Sequence, residues 1–280
     1  MSQSTYQTAV LAKRPTSTIV PGETFAFQSK PIPPESDVKD GQILVEALYL
    51  SLDPAMRGWL NGSPPFSPFP HVTNTSSDAR SYSPPVQIGE KMRGAAICKV
   101  IVSKSASYSV GTYVYANIGW TELAILPDNE QGLSAISIPE NGQLTDALGV
   151  LGGTGLTAYF GMLDIGKVQA GDFVVVSGAA GATGSIACQI AKLKGAKVLG
   201  IAGSDEKVKW LKELGCDDAL NYKAEDFAKQ FKAKTPDLID VFFDNVGGEI
   251  LELALNRAKV HSRFVMCGGK SLEPHSKYLV

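Results

Sequence analysis

The sequence predicts an α/β protein: an open, doubly wound parallel sheet preceded by a β-rich domain. Three observations lead there. From Asp172 to Gly269 apolar runs of strand length alternate with helical patterns, the order that a parallel sheet with crossover helices requires. A glycine turn, Gly178 to Gly184 (GAAGATG), follows the first of those runs. Residues 1–125 show short strands parted by Gly and Pro, with no helical pattern longer than two turns. The expected limits are 1–135 for the first domain and 136–269 for the second, with 270–280 a divergent tail.

In the first domain, Gln42–Leu52, Ala95–Ser103 and Thr112–Ala116 read as strands of a compact, barrel-like unit. Between Asn61 and Pro85 the composition turns to Pro, Ser and Thr and periodicity disappears. That stretch reads as an exposed, poorly ordered loop, longer than compact domains usually carry; the sharper alternative is a functional lid. Leu144–Leu163 has a helical pattern with Thr145 as candidate cap, interrupted by Gly152, Gly153 and Gly155. Each glycine inside a helix costs about 1 kcal/mol relative to alanine. Close packing or close approach to a ligand is therefore expected there, in a segment placed to hinge the two domains.

The second domain opens with Phe173–Val176, an unbroken apolar run expected to be buried on both faces. A helix through Ile186, Ile190 and Leu193 stops at Gly195, and Lys197–Ile201 is the second strand. A helix from Ser204–Asp205, a strand at Asp217–Tyr222 and an amphipathic segment at Ala224–Lys232 come next. The fourth strand, Leu238–Phe243, ends in Asp244-Asn-Val-Gly-Gly248; a helix over Glu249–Ala258 and a fifth strand at Arg263–Met266 complete the pattern. In the strand order 3-2-1-4-5-6, a ligand binds at the switch point between the first and fourth strands. The glycine turns after Ser177 and Asn245 fall at those two strand ends. Backbone N–H groups at a helix N-terminus reach a pyrophosphate only where no side chain intervenes. A dinucleotide is therefore expected on Gly178–Gly184, a merely structural tight turn being the alternative.

NAD-binding versions of this unit place a carboxylate at the tip of the second strand, on the ribose 2′-OH. Here the tip reads Ile201-Ala-Gly-Ser204, with no carboxylate before Asp205. Room is left for a 2′-phosphate, with Ser204 as a donor and Lys207 one turn later as a charge. NADP(H) is the expected cofactor.

Composition excludes other classes. A net charge of −2 points to neither nucleic acid nor an anionic membrane as main partner. No apolar run is long enough to span a bilayer, and the N-terminus lacks the apolar core of a secretory signal, so a cytoplasmic location is expected. Four cysteines, Cys98, Cys188, Cys216 and Cys267, lie far apart with no C-x-x-C. Reduced, buried thiols are expected rather than a zinc site or a disulfide framework.

Several motifs together carry a family resemblance: Gly149–Ser185 (GVLGGTGLTAYFGMLDIGKVQAGDFVVVSGAAGATGS), then AGSDEK, NYK and FDNVGGE, with SLDPAMRGW, GEKMRG and GWTELA in the first half. Over most of residues 40–269 the chain resembles the zinc-independent medium-chain dehydrogenase/reductases. The group it is similar to comprises the prostaglandin reductases, leukotriene B4 12-hydroxydehydrogenases and alkenal double-bond reductases. The resemblance implies a GroES-like substrate domain followed by a Rossmann domain. It implies that Gly181, Ala182, Thr183 and Gly184 hold the pyrophosphate and that Lys207 and Tyr222 contact the 2′-phosphate. Asn245, Cys267 and Gly268 would lie along the nicotinamide half, with Thr157 nearby. Asp53, Met56 and Arg57 fall in a motif beside the substrate cleft, an ion pair bracing a turn being the alternative for the charged two. Tyr49, Tyr82 and Trp120 are candidate cleft aromatics that could equally be core. Zinc-dependent relatives use a Cys and a Gly-His-Glu set; the corresponding stretch here is Gly89-Glu90-Lys91, so no metal is expected. What is left suits NADPH-dependent reduction of the C=C bond of an α,β-unsaturated aldehyde or ketone. A quinone reductase, or an inactive cofactor-binding paralogue, is the alternative.

Two departures from the family pattern stand out. Joining Asn61 to Asp78 gives GWLNDARSYSPPVQIGE, which resembles the uninterrupted motif, so about 62–77 reads as an insert. At the other end the chain diverges from Lys270 and stops at Val280. Five of six Rossmann strands are therefore expected, with the edge of the fifth exposed at Phe264 and Val265. The homodimer that the family builds through the sixth strand is doubtful on the same ground.

Overall fold

The computed structural model describes residues 4–16, 18–62 and 83–269. The insert beyond Gly62, the candidate Tyr82 and the tail from Lys270 lie outside the described residues. The chain divides into two compact units, Met1–Leu148 and Gly149–Val280.

In the first unit, β1 (Thr5–Leu11) and β2 (Phe25–Pro31) form an antiparallel pair. Strands β3 (Gln42–Leu50), β4 (Ala96–Ser103), β5 (Tyr113–Ala116), β6 (Leu123–Pro127) and β7 (Ser134–Ala135) form an antiparallel sheet in the order β6-β3-β4-β5-β7. Alternate residues of its central strands, Ile43 and Val45 with Ala96, Cys98 and Val100, turn to one face and build the core. Single bridges at Thr8–Thr121 and Val10–Lys91 fasten β1, and the buried Thr8 and Thr121 hydroxyls share a 2.8 Å hydrogen bond. A short helix, α1 (Met56–Trp59), follows β3.

The segment expected as one helix over 144–163 is broken. A 3-10 turn, Leu144–Ala147, packs on β4 and belongs with the first unit. Its start is secured by the Gln143 N–H donating to the Asp146 carboxylate at 2.8 Å, not by Thr145. Helix α2 (Gly153–Phe160) begins among the glycines, with Gly152 as its N-cap and Gly153 and Gly155 in its first turn, and a wider π turn, Gly161–Ile165, ends it. Gly155 shows the reason for the interruption: a Cβ there would stand 1.9 Å from the Val150 carbonyl oxygen. Close packing accounts for that residue.

The second unit alternates β8 (Phe173–Val176), α3 (Ala182–Leu193), β9 (Lys197–Ala202), α4 (Asp205–Glu213), β10 (Asp218–Asn221), α5 (Phe227–Lys234), β11 (Ile239–Asp244), α6 (Gly248–Leu255) and β12 (Ala258–Met266). All neighbours are parallel, in the order β10-β9-β8-β11-β12. That is the 3-2-1-4-5 order expected. Val174, Val176 and Val198 pack with Ala187, Cys188 and Leu211 of α3 and α4. Phe173, Val175, Leu199 and Phe242 face the other way, onto Phe227, Phe231 and Ile250 of α5 and α6. The unbroken apolar runs are thus buried on both faces of one sheet.

Two expectations are corrected. β12 is the end strand of the described sheet, as expected, but Phe264 and Val265 are not what that edge exposes: Val265 is buried against α3's layer and Phe264 packs on Phe242 at 5.4 Å. A sheet edge exposes backbone, while side chains point to the faces; the exposed apolar residues of β12 are Val260 and Met266. All four cysteines are free, and three are buried as expected, but Cys267 is exposed.

Candidate functional site

The first strand-to-helix turn is shaped for an anion. β8 ends at Val176, Gly178 takes φ +57°, and the Ala179 N–H donates to Ile201 O, fixing the turn against β9. The Gly181 N–H donates to Gly178 O, and Gly181 then precedes the twelve-residue α3 with no side-chain cap. Helix α3 lies hard against the turn: a Cβ on Gly184 would stand 2.3 Å from Gly178 O and 2.8 Å from Ala179 Cα. Only glycine fits there. The uncapped amides of the first turn, at Ala182, Thr183 and Gly184, and the positive end of the helix dipole suit a pyrophosphate.

The next exit, from β9, carries the chemistry expected of a 2′-phosphate site. Ser204 caps α4 by accepting from the Lys207 N–H at 3.3 Å, which leaves its hydroxyl proton to donate. Of the lysines on α4, Lys209 pairs with Glu213 and Lys212 with Asp218, while Lys207 is exposed without an ion pair among the described residues. Tyr222, whose N–H donates to Ala202 O, lays its ring on Gly203; a Cβ on that glycine would meet the phenol at 2.9 Å. The Tyr222 hydroxyl is buried and has no hydrogen-bond partner among the described residues, and burial raises its pKa. A buried donor left unpaired costs about 1–3 kcal/mol, so a phosphate oxygen is a fitting partner. Asp205, the nearest carboxylate of the tip, accepts from Asn221 Nδ2 at 2.8 Å. These residues fit NADP(H).

Across the switch point, the ends of β8, β11 and β12 are knitted together by Asp244. Its buried Oδ1 accepts from Ser177 Oγ at 2.7 Å, Gly247 N at 2.9 Å and Val246 N at 3.1 Å. Its backbone oxygen accepts from Cys267 and Gly268 N–H, both at 2.9 Å. Asn245 is spent on Ser177, its N–H on Oγ and its amide on the carbonyl. A Cβ on Gly268 would stand 2.7 Å from Asn245 O. Partial enclosure, then the Asp244 charge, hold the Cys267 thiol above its usual pKa. The structure therefore brings Asn245, Cys267 and Gly268 together. Asp244 and Ser177, which hold them, were not singled out from sequence, although the FDNVGGE motif contains one of them.

The remaining candidates fall as follows. Thr157, exposed on α2, gives its hydroxyl to Gly153 O at 2.8 Å. In the first unit, Met56 and Trp120 share a small core cluster with Leu11, Leu60 and Met92, Trp120 lying 4.9 Å from the Phe25 ring. The Trp120 indole N–H is buried and has no hydrogen-bond partner among the described residues. Tyr49 is exposed on β3. Asp53 accepts from Ser51 at 2.8 Å, and Arg57 donates to Asn61 at 2.8 Å.

A dinucleotide-fitted parallel sheet that follows a β-rich unit in the sequence defines a class, the two-unit dehydrogenases and reductases, and comparison with known proteins narrows it. Residues 7–136 match a family described as the N-terminal domain of oxidoreductase, and residues 182–278 one described as zinc-binding dehydrogenase. Among the described residues no group of three or more His, Cys, Asp or Glu is placed to hold a metal ion. A putative NADP-dependent oxidoreductase of Bacillus subtilis, YfmJ, is 42% identical over 93% of this chain and 70% of its own length. Prostaglandin reductase 1 of Bos taurus is 41% identical over 89% and 68%. The crystal structure of CurA from Vibrio vulnificus superposes with a TM-score of 0.82 at 36% identity, covering 98% of this chain and 75% of that one. A second CurA structure, in complex with NADPH, gives 0.79 at 39%, covering 92% and 70%. The chain belongs to the zinc-independent medium-chain dehydrogenase/reductases, in the group of the prostaglandin reductases.

Proposed function

We propose that this protein uses NADPH to reduce the carbon–carbon double bond of α,β-unsaturated aldehydes or ketones. The observation that carries the cofactor assignment is the β9 exit, where the Tyr222 hydroxyl and the Lys207 ammonium, neither with a partner among the described residues, stand at the tip that an NAD-binding chain fills with a carboxylate. Relatives named prostaglandin reductase 1 and, in Escherichia coli at 38% identity, NADPH-dependent curcumin reductase support the reductive direction and a carbonyl-bearing substrate.

On this reading the amides of Gly181, Ala182, Thr183 and Gly184 receive the pyrophosphate, and Ser204, Lys207 and Tyr222 receive the 2′-phosphate. Asn245, Cys267 and Gly268 flank the nicotinamide half together with Thr157, and of the first unit's candidates the exposed Tyr49 is the one offered to the substrate side, Met56 and Trp120 being packed in a core cluster. NADPH, when bound, supplies hydride for the β-carbon. Donors at the carbonyl oxygen stabilise the enolate, and the α-carbon takes a proton from solvent or a tyrosine.

The test is NADPH oxidation across a panel of 2-alkenals, alkenones and quinones with product analysis. Consumption with enals or enones, giving the saturated carbonyl compound, is expected. Consumption with quinones alone, or tight NADPH binding without turnover of any enone, would overturn the reading.

A further inference from the structure

The carboxylate at the head of α4 raises a problem for any 2′-phosphate. Asp205 is the first residue of that helix and follows the capping Ser204 directly. A 2′-phosphate held by Ser204 and Lys207 would sit beside it, and like charges at such range oppose each other. In place of a free carboxylate the structure has a bonded one. Asn221, the last residue of β10, donates its amide to Asp205 Oδ1 at 2.8 Å. Asn221 is itself aimed by the Lys223 N–H, which donates to its Oδ1 at 3.0 Å. The next residue is Tyr222, with Lys223 lying 5.8 Å over its ring.

We infer that Asn221 is a specificity-determining residue that favours NADPH over NADH by engaging the Asp205 carboxylate. The inference rests on the cofactor assignment above. Released from Asn221, the carboxylate has two outlets at this tip. It can repel a 2′-phosphate, or it can accept from a ribose 2′-OH as the acidic residue of NAD-binding chains does. Either outlet moves preference the same way, toward NADH. Glu206, the other carboxylate of the helix's first turn, is exposed on the same element and is present in every arm of the test.

The experiment measures dissociation constants of NADPH and NADH by cofactor fluorescence, and of 2′,5′-ADP and 5′-ADP by calorimetry. The proteins are the full chain and its Asn221→Ala, Asp205→Asn, doubly substituted and Asp205→Glu forms. Asn221→Ala is expected to lower the NADPH-to-NADH preference about two- to fivefold, the size of an exposed polar contact. In the Asp205→Asn background the same substitution is expected to change nothing. Asp205→Glu, which keeps the charge and the helix-start preference but carries the carboxylate past the Asn221 amide, is expected to lower the preference too. Equal losses for both cofactors, or the same loss with and without the Asp205 charge, would overturn the inference. A wild-type chain with no preference for NADPH would instead remove the cofactor assignment beneath it.

Discussion

The two ends of the parallel sheet are built on opposite rules. Around the strand starts, charges are matched: Asp172 with Arg263 at 2.8 Å, Asp240 with Lys259 at 2.7 Å, Asp217 with Lys192 at 2.8 Å. Asp218 takes both Lys212 at 2.9 Å and Lys234 at 2.6 Å. At the strand exits, polar groups are left over among the described residues: the Lys207 ammonium without an ion pair, and the Tyr222 hydroxyl and Asp244 Oδ2 buried without partners. Both ends belong to the same fold and have the same helices beside them. One end is therefore closed by its own residues, and the other keeps hydrogen-bonding capacity that folding alone does not satisfy. Unsatisfied buried polar atoms cost stability, so their concentration at the exits marks the end at which a ligand repays them.

The sharpest way to break this contrast is at Asp244, which sits at the open end but behaves largely as part of the closed one. Asp244→Ala removes the acceptor of three hydrogen bonds, from Ser177 Oγ and from the Val246 and Gly247 amides. The expected loss is about 3 kcal/mol of unfolding free energy, read by denaturant titration without any cofactor present. An unchanged midpoint would mean that the three bonds are formed for the ligand rather than for the fold. Lys207→Ala tests the opposite case, a group free of the fold. Stability is expected to stay within about 0.5 kcal/mol of wild type. NADPH affinity is expected to fall about tenfold to a hundredfold, the size of a charge-assisted bond, with NADH nearly unchanged. Equal losses for the two cofactors would remove Lys207 from the 2′-phosphate.

How far each end could be read from sequence follows from what holds it. The strands β8, β9 and β11 were legible because burial on both faces demands unbroken apolar runs, and the glycine turns mark the switch point without any contact being known. β2 was not legible: its residues after Phe25 are all exposed, so no alternation marks it. The break in the helical pattern over 144–163 is not legible, because it lies in the turn from Gly149 to Gly152 that brings the Val150 carbonyl against Gly155, a shape that composition does not encode. At the site, Ser204 and Lys207 were legible as chemistry beside a strand tip. The Asn221–Asp205 bond was not, since it joins the ends of two elements sixteen residues apart. Asp244 does not stand out in the sequence, because a carboxylate in a turn motif reads as solvated until its burial is seen.

At the closed end the expected effect is smaller than at Asp244 or Lys207, and it concerns acid. Burial alone would raise the Asp218 carboxyl, but hydrogen bonds from Lys234 and Lys212 outweigh it and bring its pKa down to about 2. Asp217 and Asp240 are lowered in the same way, against burial, by Lys192 and Lys259 respectively and by backbone amides. A carboxylate whose pKa is lower folded than unfolded stabilises the fold above its unfolded value, near 3.9. That contribution is lost as pH falls through the folded value. For Asp218 the window therefore runs from about pH 4 down to about pH 2. The pairing lysines are about half exposed, so solvent screening reduces the contribution to about 1 kcal/mol. Unfolding free energy measured at pH 7, 4 and 2.5 should fall across the last interval, and Asp218→Asn should flatten that fall while leaving NADPH affinity at pH 7 untouched. If the substitution instead shifts cofactor affinity and leaves the acid slope intact, the two ends of the sheet are not separable, and the division of labour between them fails.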